Sequence, residues 1–137
     1  MSQTIRKAAM FISRDGCILL CRRRKGSPLL ILPGGKLESG ETPEEALVRE
    51  LREELGKVSV SGLKLLGRYA GPAANDSGKT VAIDLFGGQL KGKPRPCAEI
   101  GELVWFGPDG SPDELAPSLR DSILPDLRER GLLPPGR

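Results

Sequence analysis

Glu50, Glu53 and Glu54 are the residues whose types and spacing most directly carry chemistry in this chain. They stand at i, i+3 and i+4, so on a helix they lie side by side on one face. Like charges at these spacings repel by roughly 0.2–0.5 kcal/mol per pair. A solvated face usually offsets each Glu with a base four residues on. Arg49 follows Glu45 by four and precedes Glu53 by four, but Glu50 has Glu54 at i+4 and Ala46 at i−4. A divalent cation turns such repulsion into coordination, and hard carboxylate oxygens that leave room for waters suit Mg²⁺ or Mn²⁺. A merely solvated helix face is the alternative.

Composition narrows the chemistry further. The 137 residues include no histidine. Ser-His-Asp triads, Cys-His dyads, His-ligated metals and histidine acid–base catalysis are therefore excluded. Carboxylates, Lys, Cys, Tyr or an oxygen-held metal remain. Three cysteines, Cys17, Cys21 and Cys97, make an odd set with no disulfide framework expected. Cys17 and Cys21 share a face of a strand and read as small buried thiols.

The net charge of +3 is unevenly spread: residues 1–32 carry seven bases against one acid, residues 33–57 four against seven, and residues 58–137 ten of each. A basic segment beside an acidic one suits an anionic substrate bridged to the protein by a cation. The run "CRRRK" (Cys21–Lys25) is the one nucleic-acid signal, too short to make nucleic acid the expected partner. No apolar run approaches the ~20 residues of a membrane span, and the first residues do not read as a signal peptide. The expectation is a cytoplasmic protein without a membrane partner, with a homodimer left open.

The elements that position the glutamates can be read next. Thr42 can cap a helix, Pro43 suits its first position, Glu45 completes a capping box and Gly56 supplies the stop. Leu47, Val48, Leu51 and Leu55 then cluster on the side that packs against a sheet. "LLIL" (Leu29–Leu32) reads as a short strand, stopped by a tight turn at Pro33-Gly34-Gly35. The glycines let the backbone approach a ligand, or simply make that turn.

Thr4–Ser13 and Cys17–Cys21, joined by "RDG", read as a hairpin. Val58–Ala70, Thr80–Leu90 and Leu103–Gly107 read as strands, with Gly71–Lys79 as a connection. Ser111–Gly131 reads as a second helical region interrupted by Pro117 and Pro125, with Leu115, Leu119, Ile123, Leu124 and Leu127 as its apolar side. The order strands, helix, strands, helix predicts an α/β protein in which a mixed, curved sheet lies between helices.

Gly35, five residues, Glu41, seven residues, then Arg49-Glu50-Leu51-Arg52-Glu53-Glu54-Leu55-Gly56 resembles the Nudix box of the Nudix hydrolases. Every charged and glycine position matches. Lys57 departs, standing where the family has an aliphatic residue, and Val58 follows it. The resemblance extends to the α/β/α sandwich, covers nearly the whole chain and is nearest the short MutT-like branch. It implies one Nudix domain over residues 1–131, and the end "LLPPGR", residues 132–137, reads as a flexible tail.

The resemblance implies a metal-dependent pyrophosphohydrolase acting on a small nucleotide. A (deoxy)nucleoside triphosphate is the leading substrate, with ADP-ribose or a dinucleoside polyphosphate second. A Nudix-fold sensor that binds nucleotide without cleaving it is the reading from another class. Carried over by position, Glu50, Glu53 and Glu54 hold Mg²⁺ or Mn²⁺ with the Gly34 carbonyl. Arg49 pairs with Glu41 and orients the cluster, and Glu50 is the base. Glu99, six residues before Trp105, is an added ligand or the alternative base. The catalytic candidates are thus Glu50, Glu53, Arg49 and Glu99, and the substrate-binding candidates are Arg23, Gly34 and Gly35. The 8-oxoguanine-specific members read the purine with an Asn near the last helix; here that stretch, "LAPSLRD", offers Ser118 and no Asn. Pro72, fifteen residues past the box, matches the ADP-ribose pyrophosphatases, a cheap coincidence among twelve prolines.

Overall fold

Helix α1, Pro43–Leu55, forms where its caps predict. The Thr42 hydroxyl accepts from the Glu45 amide at 3.1 Å, and the Glu45 carboxylate accepts from the Thr42 amide at 2.9 Å. Two of the amides a helix start leaves unpaired are thereby satisfied, a device worth about 1 kcal/mol. Gly56, at φ 83°, ends the helix with its amide on the Arg52 carbonyl. The buried side is Ala46, Leu47, Leu51 and Leu55, while Val48 is only half-buried. The computed structural model describes residues 4–72 and 78–136.

Among the described residues, seven strands form two sheets. Strands β1 (Thr4–Met10), β4 (Gly34–Lys36), β5 (Ser59–Pro72) and β6 (Thr80–Lys91) make a mixed sheet in the order β4-β1-β6-β5, with β1 parallel to β6. Strands β2 (Ser13–Arg14), β3 (Cys17–Arg23) and β7 (Ile100–Phe106) make a second sheet, β2-β3-β7. Alternation along the strands divides the interior into two cores. Ala8, Met10, Leu19, Cys21 and Phe86 pack with Leu47, Leu51 and Leu55 of α1. Their sequence neighbours Ala9, Ile18, Leu20 and Leu85 pack with Leu119, Ile123, Leu124 and Leu127 of the C-terminal helical region. Sheets lie between helical layers, as the element order predicts. Each fully buried Leu contributes roughly 1.5–3 kcal/mol, so α1 is held by its apolar side and its acidic side is left for other work.

Four details differ from the sequence reading. Pro33-Gly34-Gly35 is not a tight turn: Gly34–Lys36 runs extended as β4, antiparallel to β1. Strand β1 does not pair into a hairpin; the hairpin is confined to Ser13–Arg14 against Cys17–Ile18, because Asp15 and Gly16 turn the chain at φ 53° and 80°. The run "LLIL" makes only single bridges, Ile31 to Cys21 and Leu30 to Leu115.

The fourth difference is at the prolines. The last helical region opens with a 3₁₀ turn at Pro112–Glu114, and Pro117 lies at the start of the helical turns rather than within them. A π-turn, Leu119–Ile123, then leads into α2, Leu124–Glu129. Pro125 has no N–H to give Asp121, and the wider turn ahead of it lets the helix continue past that missing bond. The five expected apolar residues, Leu115 to Leu127, are all buried, and Leu133 packs on them. Of the expected connection Gly71–Lys79, residues 73–77 lie outside the described residues.

Candidate active site

The carboxylate face of α1 is built against β4. A Cβ on Gly34, whose φ is 141°, would overlap the Ala8 carbonyl, and one on Gly35 would overlap the Glu50 carboxylate. Glycine is therefore required at Gly34, where it lets β4 close on β1, and at Gly35 the missing side chain lets the Glu50 carboxylate lie over the strand. The Gly34 amide donates to Glu54 Oε1 at 2.8 Å. Strand and helix thus meet through the site's own polar groups.

Arg49 contacts most of the carboxylates around the site. Its Nε and one terminal nitrogen fork onto Glu41 at 2.8 and 2.9 Å, its other terminal nitrogen reaches Glu50 Oε1 at 2.9 Å, and it also donates to the Lys36 carbonyl at 3.0 Å. Glu38 and Glu53 lie at 3.7 and 3.6 Å from the same guanidinium. The expected Arg49–Glu41 pairing is present in this geometry, and the Lys36 carbonyl is a partner the sequence did not reveal. Glu38 faces Arg49 and donates its amide to Glu41.

These contacts divide the carboxylates electrostatically. The Arg49 hydrogen bonds, helped by the Glu38 amide, hold Glu41 down at about 2. Burial pushes Glu54 up to about 8, opposed by the Gly34 amide and reinforced by Glu50. Burial also pushes Glu50 upward against the pull of Arg49. Glu53 is about half exposed, with 55% of its side chain accessible. Two carboxylates that resist ionisation, with a third beside them, are a site with unmet demand for positive charge.

The donor set tests whether a divalent cation fits. All candidate donors are hard oxygens, as Mg²⁺ and Mn²⁺ require, and the missing Cβ at Gly35 makes the hollow in which Glu50 lies. Among the described residues no group of three or more His, Cys, Asp or Glu side chains is gathered as a ready cage. Glu50 Oε1 is turned to Arg49, and Glu99 is turned to Arg23 at 2.9 Å. The residues fit the cation by chemistry and by the glycine hollow, with Glu50 and Glu99 held by arginine.

Arg23 and Glu99, proposed from sequence for different roles, are thus brought together. Neighbouring Arg22 points elsewhere, to Glu102 at 2.8 Å and the Pro28 carbonyl at 2.8 Å. Lys7 is a site residue that sequence reasoning missed: its positive field, like that of Arg23, acts on Glu54. It reaches the site because β1 lies beside β4, a pairing no local pattern announces. A cavity is lined by Lys7, Ala9, Gly34, Gly35, Ile83 and Ser118, and so shares with Glu54 and Glu50 the strand residues Gly34 and Gly35. Ser118 is buried with Gly71 close against it. Trp105 and Phe106 alternate on β7: Phe106 is core, and Trp105 is exposed beneath the Arg14 guanidinium, 5.0 Å from the ring centre.

The family model described as NUDIX domain matches residues 4–127. A CTP pyrophosphohydrolase of Escherichia coli is 51% identical over 114 residues, 77% of this chain and 77% of that protein. An ADP-ribose pyrophosphatase of Methanocaldococcus jannaschii is 42% identical over 87 residues, 58% of this chain. The match spans only 50% of that relative's length. The crystal structure of a MutT NUDIX hydrolase from Burkholderia pseudomallei superposes with a TM-score of 0.74 at 30% identity, covering 87% of this chain and 95% of that one.

Proposed function

The chain belongs to the Nudix family, and from that premise we propose that it hydrolyses the diphosphate linkage of a small nucleotide with Mg²⁺ or Mn²⁺. The observation that carries this reading is the Arg49 fork, which holds Glu41 on one side and Glu50 on the other while Glu54 lies on the Gly34 amide. A purely structural acidic face has no use for this arrangement. A bound cation would supply charge neutralisation and Lewis acidity toward the diphosphate. Glu50, Glu53 and Glu54, with the Gly34 carbonyl, are the residues to hold it.

In the proposed reaction, water attacks phosphorus, its proton passes to a carboxylate, and the anhydride P–O bond breaks to leave two phosphate products. Glu50 is the first candidate base, because Arg49 fixes Oε1 and leaves Oε2 over Gly35. Glu99 is the second. Arg23 is the candidate for the substrate's phosphates, and the cavity between Gly34 and Ser118 is the candidate for its nucleoside. Catalysis in this scheme is largely positioning and charge stabilisation.

The substrate class follows the same logic. A (deoxy)nucleoside triphosphate is the leading choice, supported by the likeness to the CTP pyrophosphohydrolase. The likeness to the ADP-ribose pyrophosphatase keeps ADP-ribose as the second. No helix among the described residues is long and apolar enough to cross a membrane; a cytoplasmic enzyme is the reading we adopt. The test is a nucleotide panel assayed for phosphate, pyrophosphate and monophosphate release with Mg²⁺ at neutral and alkaline pH, beside Glu53→Gln. Release that the substitution abolishes is expected. No release from any nucleotide would favour the sensor reading, and release that ignores the substitution would remove the site assignment.

A further inference from the structure

A bulge separates the fates of adjacent arginines. Arg22 stands opposite Glu102, but Arg23 stands opposite Ile100, so Gly101 is the extra residue on β7. Bulges re-aim side chains. This one sends Arg22 to Glu102 and Arg23 to Glu99. The loop bearing Glu99 is pinned on both sides. The Arg95 and Cys97 amides bond the Leu55 and Glu54 carbonyls at 3.0 and 2.9 Å, tying it to the end of α1. The Glu99 carbonyl accepts from the Arg24 amide at 2.8 Å, tying it to the end of β3. Ala98, between these ties, is held at φ 53°, a conformation that alanine disfavours.

With its backbone fixed, Glu99 keeps freedom only in its side chain, which is 77% exposed. A cavity bounded by Arg23, Arg24, Lys25 and Glu99 opens beside it. The two partners also address the same cluster: the field of Glu99 acts on Glu50 and that of Arg23 on Glu54. An exposed pair closed by one hydrogen bond is weak. A polyphosphate offers Arg23 more charge and more acceptors than one carboxylate can.

We propose that Arg23 and Glu99 are exchangeable counter-ions: Arg23 holds Glu99 off the carboxylate cluster until an incoming polyphosphate takes Arg23 and frees Glu99 to turn to the cation. The proposal rests on the hydrolase reading above and adds a consequence to it. Nucleotide and cation binding become coupled through one side-chain pair, with Arg23 acting as a positioning residue for Glu99 as well as a phosphate ligand. Glu99 then joins the cation site as substrate arrives.

Mn²⁺ binding without nucleotide tests this, read by electron paramagnetic resonance on wild type, Arg23→Gln, Glu99→Gln and the double variant. Thermal melts check folding, and Arg23→Met repeats the series if the Gln variant unfolds. The expected result is that Arg23→Gln tightens Mn²⁺ about fivefold over wild type, because Glu99 is released, and that the same substitution gives no tightening in the Glu99→Gln background. Equal tightening in both backgrounds is simple removal of a repelling charge and overturns the exchange, as does no tightening in either. If wild type binds Mn²⁺ and turns over nucleotide, such a result overturns the exchange alone. If wild type does neither, the hydrolase reading fails with it.

Discussion

Two arginine–glutamate pairs flank the same carboxylate cluster, and they are built for different ends. Arg49 grips Glu41 through a two-point fork, adds Glu50 and the Lys36 carbonyl, and leaves both side chains largely covered, 25% and 18% accessible. Arg23 touches Glu99 through one nitrogen at 2.9 Å, with 33% and 77% accessible. Coverage and the number of bonds decide how much an ion pair fixes geometry. The first pair is a strut between the β4 end and α1. The second is a contact that solvent, salt or a phosphate can replace. A site that binds a highly charged ligand needs both: a frame that does not yield and a counter-ion that does.

The comparison is broken most severely by removing the strut. Arg49→Ala is expected to lower kcat about 100-fold or more, since misplacing a reacting group by about 1 Å costs that much. Steady-state kinetics on a substrate found in the panel would read it, and activity within threefold of wild type would show that Arg49 does not orient the cluster. Glu99→Gln should cost less, about tenfold in kcat. A loss smaller than a few-fold would remove Glu99 from the mechanism.

Salt sharpens the contrast. Double-mutant-cycle coupling between Arg23 and Glu99 should fall to about half or less between 0.05 and 0.5 M NaCl, because exposed charges are screened over a Debye length of roughly 4–14 Å in that range. The Arg49–Glu41 coupling should change little. Equal salt sensitivity would make the two pairs alike.

Acid gives the smallest effect. Glu41 is held at about 2 by Arg49, below the ordinary carboxylate value of 4.5. A depressed carboxylate contributes stability that is fully present above the unfolded value and is lost as pH falls through the folded one. The stability gap between wild type and Glu41→Gln in urea should therefore be constant above pH 4.5 and narrow between 4.5 and 2. A gap that does not change with pH would mean that Glu41 is not held by charge.

The difference between the two pairs also marks what could be read from sequence. Thr42, Pro43, Glu45 and Gly56 are local signals, and α1 forms where they say. Its buried Leu47, Leu51 and Leu55 follow from spacing alone, as does the apolar side of the C-terminal region. The pairing of Arg49 with Glu41 was legible because it sits within one short motif. Gly34 and Gly35 were misread as a turn: their cause is non-local, the Ala8 backbone on one side and Glu50 on the other. Lys7 and the Arg23–Glu99 contact were hidden for the same reason. They depend on β1 lying between β4 and β6 and on a bulge between β3 and β7, and register across strands leaves no periodic trace in either strand.

The proposed hydrolysis depends on a cation held by Glu50, Glu53 and Glu54. The most direct measurement follows Mn²⁺ occupancy and nucleotide turnover in the same samples, for wild type, Glu53→Gln and Glu54→Gln, after stripping with EDTA. No turnover is expected in stripped enzyme, turnover should rise with occupancy in wild type, and half-saturating Mn²⁺ should be at least tenfold higher in each variant, about 1.4 kcal/mol of lost binding. Turnover that persists in stripped enzyme, or half-saturation unchanged in both variants, would contradict it.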